Sequence, residues 1–88
     1  AIRSLLLPLS QEELMAYIQH RIRIAGGEQR VHFSDEAAVR IYHHSRGIPR
    51  ITNLICDRAL LAGFVQRQNE ITSEIVNRAI EEVEGVTV

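Results

Sequence analysis

Lysine is absent from this 88-residue chain, and all ten of its basic side chains are arginine. A phosphate-binding loop ending in Gly-Lys-Ser/Thr is therefore excluded, because the lysine that reaches the phosphates is missing. There is one cysteine, Cys56. It cannot form an internal disulfide, and it fits a reducing compartment. No apolar run approaches the ~20 residues that span a bilayer, and no signal-peptide pattern opens the chain. Charge of one sign is lacking too: ten basic residues against eleven acidic give a net charge of -1. That balance carries no electrostatic footprint for nucleic acid or acidic lipid. What remains is 45% hydrophobic and 24% charged, the composition of a globular domain and not of a disordered segment. The length allows one small domain near the lower limit for a self-sufficient core.

Only two prolines occur, Pro8 and Pro49, and both fall at boundaries. Pro8 lies in the apolar stretch Leu5 to Leu9 and biases Leu7 to an extended conformation. A chain that opens beside such a stretch, without a start methionine, is expected to be a piece of a longer protein, with residues 1–9 as a linker and 10–88 as the domain. Ser10 and Glu13 then make a capping box, with Leu9 and Leu14 as its hydrophobic staple. The first helix is expected over Gln11–Ala25, with Leu14, Ile18, Ile22 and Ala25 as its buried stripe. Gly26-Gly27 ends it. Val31 and Phe33 alternate with His32 in a short extended connection. Ser34 caps a second helix whose first turn holds Asp35 and Glu36, whose inner face is Ala38, Ile41 and Tyr42, and whose left-handed stop is Gly47.

Pro49 opens the third helix, at the position where its missing N–H costs nothing. Apolar residues point almost all the way round it: Ile51, Leu54, Ile55, Ala59, Leu60, Leu61, Ala62, Phe64 and Val65. That pattern predicts a helix surrounded by others, in which Ile55→Asp or Leu61→Asp unfolds the domain. A seam of small residues, Thr52, Cys56, Ala59 and Gly63, lets a neighbouring backbone come close. Arg50, Asn53 and Asp57 form a polar stripe. The helix fades near Gln66 to Asn69. Thr72 caps a fourth helix with Ile71 and Val76 as staple, with Ile75, Val76, Ala79, Ile80 and Val83 as its buried face, and with Gly85 closing it. The fold class is all-α: a small four-helix bundle packed around its third helix.

Arg50 is the residue with the sharpest chemistry, because a guanidinium held at a helix start is a good bidentate ligand for phosphate. The plain alternative is a surface arginine paired with Asp57 or a glutamate. His20, His32, His43 and His44 do not have the spacing of a metal site, since adjacent histidines on a helix diverge by about 100°. Cys56 sits on the small seam, where packing explains it better than nucleophilic chemistry does. Asp35-Glu36 follows a cap and does not end a buried strand, so it reads as part of a helix start and not as a hydrolytic acidic pair. The second and third helices could also form a helix-turn-helix. The third is too apolar to read bases, however, and nucleic acid is not an expected partner.

Pro8-Leu9-Ser10, Glu12-Glu13, Tyr17-Ile18, His20-Arg21 and the run from Gly47 through Pro49-Arg50-Ile51-Thr52-Asn53 to Leu60 resemble the small helical lid of AAA+ ATPases. The likeness is to the general secretion pathway protein A type, which includes relatives from mannose-sensitive pilus biogenesis, and it covers Leu6 to Gly85. It implies a lid-like bundle in which Arg50 is sensor 2, reaching the γ-phosphate of ATP. Ile48, Pro49 and Tyr17 are implied to lie near the adenine. ATP and Mg²⁺ would be bound by the parent protein and not by this chain alone, which has no phosphate-binding loop or acidic strand end and is not itself expected to be an enzyme. The partners implied are an upstream nucleotide-binding domain, neighbouring subunits and secretion or pilus components. The location implied is cytoplasmic, with the parent open to association with the inner membrane. Two other readings stand beside this one: a helical interaction module with no nucleotide role, and the lid of a DNA-handling AAA+ protein.

Overall fold

The computed structural model describes residues 7–24 and 31–85. Its first helix, α1, runs Gln11–Ile24 and begins at a reciprocal cap. The Ser10 N–H donates to Glu13 Oε1 at 2.8 Å, and the Glu13 N–H donates to Ser10 Oγ at 3.1 Å. Two otherwise orphaned donors are thus satisfied. Leu9 and Leu14 are both buried beside this cap, and Leu14, Ile18 and Ile22 form the stripe that faces the core. The expected end of this helix at Ala25 to Gly27 lies outside the described residues, as do residues 1–6 of the linker.

Strand β1, His32–Phe33, leads into α2, Asp35–Ser45. Ser34 caps this helix by accepting from the Ala37 N–H at 3.1 Å, and Ala37, Ala38 and Ile41 face inward, with Tyr42 half-buried at the edge. The stop differs from the sequence expectation. Arg46, not Gly47, takes the left-handed cap, at φ 55°, and its N–H donates to the Tyr42 carbonyl at 2.7 Å. Gly47 follows, also left-handed, at φ 78°. The turn therefore needs two consecutive positive φ values, and an arginine bears the first.

Helix α3, Pro49–Val65, has proline in its first turn as expected. The seam of Thr52, Cys56, Ala59 and Gly63 is wholly buried. Close approach is required at Gly63, where a Cβ would overlap the Ile71 side chain. The opposite side overturns the expectation of a helix covered all round: Leu54, Leu61, Phe64 and Val65 are 47%, 59%, 80% and 70% exposed. Leu61→Asp is accordingly no longer expected to unfold the domain. The reason lies in supply. Among the described residues three other helices are available, and the seam draws them to one side.

The α3 terminus is a Schellman turn, with Arg67 at φ 58°. The Gln68 N–H donates to the Gly63 carbonyl at 2.8 Å and the Arg67 N–H to the Phe64 carbonyl at 3.1 Å. Strand β2, Glu70–Ile71, follows and pairs in parallel with β1, His32 opposite Glu70 and Phe33 opposite Ile71. The Ser34 N–H donates to the Ile71 carbonyl at 3.0 Å. Helix α4, Ser73–Gly85, starts one residue after Thr72, whose Oγ1 accepts from the Ile75 N–H at 3.3 Å. The two-strand pairing thereby sets the starts of α2 and α4 side by side. Ile75, Val76, Ala79 and Ile80 are buried and Val83 is half-buried. Helicity extends to Gly85, where the described residues end.

The architecture is all-α apart from this short pair of strands. Helix α3 packs on α2 and α4 and is tied to α1 by side-chain hydrogen bonds. Helix α2 is the one that packs on all three others, so the bundle is not centred on its third helix alone. Among the described residues, no helix is long and apolar enough to cross a membrane.

Candidate functional site

The turn Gly47-Ile48 and the first turn of α3 are held by backbone bonds on both sides. Ser45 is fully buried and its Oγ accepts from the Gly47 N–H at 3.1 Å, while the Ile48 N–H donates to the Ser45 carbonyl at 3.0 Å. The Ile48 carbonyl in turn accepts from the Thr52 N–H at 2.9 Å. From the other direction, the Leu9 N–H donates to the Gly47 carbonyl at 2.7 Å. A Cβ on Gly47 would overlap the Leu9 carbonyl oxygen and come within 2.9 Å of its nitrogen. Glycine is therefore demanded here twice, by φ and by space.

Arg50 projects from this turn. It is exposed, and among the described residues it makes no hydrogen bond or ion pair. Asp57, one of the acids that the plain alternative offers as its partner, is engaged elsewhere. Asp57 Oδ1 accepts from Arg21 Nη2 at 2.7 Å, and that bond raises the arginine's pKa further above its ordinary value. One turn back, the Tyr17 hydroxyl donates to Asn53 Oδ1 at 2.6 Å. Tyr17 and Arg21 are four apart on α1, and Asn53 and Asp57 are four apart on α3. The two helices therefore run in the same direction along a two-rung polar clamp. The clamp takes up two members of the polar stripe and leaves the third, Arg50, open to solvent. An unpaired guanidinium at the positive end of a helix, with Pro49 fixing the backbone, is suited to receive an anion.

The other residues singled out from the sequence lie around this corner or away from it. Ile48 is exposed, and Pro49 and Tyr17 are half-buried. The Tyr17 hydroxyl is committed to Asn53, which leaves only its ring for a further contact. Cys56 is fully buried, and burial, with a smaller contribution from the Asp57 charge, pushes its thiol up to about 12. Such a thiol is not a nucleophile at neutral pH. His44 Nε2 lies 3.2 Å from Glu84 Oε2, and His43 meets Tyr42 edge to face at 6.3 Å. Among the described residues, no three His, Cys, Asp or Glu side chains converge as metal ligands. Asp35 and Glu36 sit in the first turn of α2.

Sequence reasoning missed two members of this corner, Leu9 and Asn53, in their structural roles. The matched i,i+4 spacing of Tyr17/Arg21 and Asn53/Asp57 was a usable signal for the clamp. Nothing local marked the Leu9–Gly47 contact.

Comparison with known proteins finds no family model and no solved structure that matches. It does find general secretion pathway protein A of Aeromonas hydrophila, 41% identical over 81 residues, which are 92% of this chain. The chain spans 15% of the length of that curated relative. The resemblance read from the Pro49-Arg50 helix and its surroundings is therefore a relationship along nearly the whole sequence.

Proposed function

We propose that this chain is the helical lid of a secretion-related AAA+ ATPase, with Arg50 as the residue that senses the γ-phosphate of ATP. The observation that carries the reading is the isolation of Arg50: it lies exposed at a helix start, and the nearby acid on its own stripe is taken by Arg21. The likeness to general secretion pathway protein A supports the secretion context. Phosphoryl transfer is catalysed mainly by positioning and charge stabilisation, and an arginine on the transferred group is worth on the order of 10³-fold or more in rate. In this reading Arg50 supplies that charge from the lid side, while the phosphate-binding loop and Mg²⁺ site belong to the rest of the parent protein. Presence or loss of the γ-phosphate then changes how the lid sits, and the lid passes that change to a neighbouring subunit or secretion component. Ile48, Pro49 and the ring of Tyr17 offer the apolar surface next to Arg50 for the nucleotide base.

The test is ATP hydrolysis by the longer native protein that contains this chain, with and without Arg50→Ala. Hydrolysis that collapses in a folded variant supports the sensor role. Unchanged hydrolysis removes it.

A second reading, a helical interaction module with no nucleotide role, is favoured by one observation: the exposed apolar side of α3. It requires that ATP have no effect on any longer protein containing the chain, so the same assay separates the two.

A further inference from the structure

We propose that Gly47 and Leu9 form a positioning joint, which locks the segment leading into α1 to the turn that carries Arg50 so that the two move as one body. The inference rests on the reading of Arg50 as a nucleotide-sensing residue, and it adds how that residue is aimed. Leu9 is buried in the core while its neighbours Pro8 and Ser10 are exposed, and its backbone meets the Gly47 backbone. Leu9 donates its N–H to the Gly47 carbonyl, and a Cβ at position 47 has no room against the Leu9 backbone.

Both backbone groups of Gly47 are committed, the N–H to Ser45 Oγ and the carbonyl to Leu9. Between Gly47 and Arg50 stand only Ile48, whose N–H and carbonyl are both bonded, and Pro49, whose φ is fixed by its ring. On the Leu9 side, the next residue is Ser10, fixed by its reciprocal bonds with Glu13. No freely rotating residue separates the leading segment from the guanidinium's helix. A displacement of that segment is therefore delivered to the first turn of the helix that carries Arg50. Gly47 acts through Arg50 and touches no reacting atom, so it is a positioning residue.

The experiment uses the full-length protein and ATP, with four variants: Gly47→Ala, Leu9→Ala, Val76→Ala and Arg50→Ala. Val76 is buried in α4, makes none of the bonds that hold the Gly47 turn, and serves as the control for general loss of stability, with thermal midpoints recorded for all. Gly47→Ala is expected to lower kcat on the order of 10- to 100-fold, the scale of a small misplacement of a catalytic group. KM should move less, and the Leu9 amide should exchange faster with solvent. Val76→Ala, at a comparable thermal midpoint, should keep kcat within about twofold, since losing a buried methyl pair that takes no part in the joint changes stability and not aim. If Gly47→Ala does not fold, Leu9→Ala carries the same criterion, because it keeps the N–H but loosens its anchorage. The joint is overturned if kcat tracks the thermal midpoint alone across these variants, or if the Leu9 amide stays protected in Gly47→Ala. Full hydrolysis by Arg50→Ala overturns the sensor reading itself. Loss of hydrolysis in Arg50→Ala, with Gly47→Ala behaving like Val76→Ala, overturns the joint alone.

Discussion

Asp57 accepts a 2.7 Å hydrogen bond from Arg21, and so it does not neutralise Arg50, which shares its stripe on α3. This pairing removes Asp57 as the partner that the plain structural reading of Arg50 offered it. An arginine whose nearest acidic stripe-mate is taken has its charge available for a ligand. The same bond joins α1 to α3, so the element that frees Arg50 also steadies the helix that bears it.

Burial separates two substitutions that look alike on a helical wheel. Ile55 is fully buried and Leu61 is exposed. Ile55→Asp places an unpaired carboxylate in the core, at a cost of several kcal/mol, comparable with the total stability of a small domain. Circular dichroism is expected to show loss of the helical fold. Leu61→Asp is expected to shift stability by only about 0.5 kcal/mol and to leave the spectrum unchanged.

Thr52 is fully buried and its Oγ1 has no hydrogen-bond partner among the described residues. Its hydroxyl therefore carries a desolvation penalty without return. Thr52→Val keeps the shape and removes the penalty, and is expected to raise stability by about 1 kcal/mol in urea denaturation.

The left-handed conformation of Arg67 in the Schellman turn after α3 is unfavourable for any residue with a Cβ. Arg67→Gly removes that strain at an exposed position. A gain of about 0.5–1 kcal/mol is expected, after allowing for the greater freedom of glycine in the unfolded chain. A lower thermal midpoint would show that the turn depends on the arginine side chain.

Cys56 couples the fold to alkaline pH. Burial raises its thiol to about 12 in the folded chain, above the ~8.5 of an exposed thiol. The folded state thus holds the proton more tightly. The stabilisation is complete below about pH 8.5 and is lost as pH rises toward the folded value. Urea midpoints measured from pH 7 to 10.5 should fall more steeply for the native chain than for Cys56→Ala. At neutral pH the thiol should resist alkylation until the protein unfolds.

Much of this fold was legible because its signals are local. Ser10, Ser34 and Thr72 mark helix starts through short-range hydrogen bonds, and all three make them. The small seam of α3 was legible for a similar reason, since spacing alone puts Thr52, Cys56, Ala59 and Gly63 on one side. The exposure of Leu54, Leu61, Phe64 and Val65 was not. A helix apolar all round specifies how much surface it could bury and does not specify how many neighbours are there to cover it. The pairing of β1 with β2 escaped notice because two-residue strands have no periodicity to detect. The arginine at the α2 cap escaped because Gly47 next to it is the better left-handed residue. In the site, Pro49 and Arg50 were legible from the turn chemistry. The clamp that leaves Arg50 free, and the Leu9 contact behind Gly47, depend on pairs 36 and 38 residues apart and become visible only in three dimensions.

In the proposed lid role, Arg50 recognises the γ-phosphate. The measurement that bears on it most directly is the relative affinity of the full-length protein for a non-hydrolysable ATP analogue and for ADP, with and without Arg50→Ala. A charged hydrogen bond to the terminal phosphate is worth about 1.5–3 kcal/mol, so its removal should weaken binding of the analogue by roughly 10- to 150-fold. ADP affinity should remain close to that of the native protein. An unchanged ratio of the two affinities in a folded Arg50→Ala protein would contradict that role.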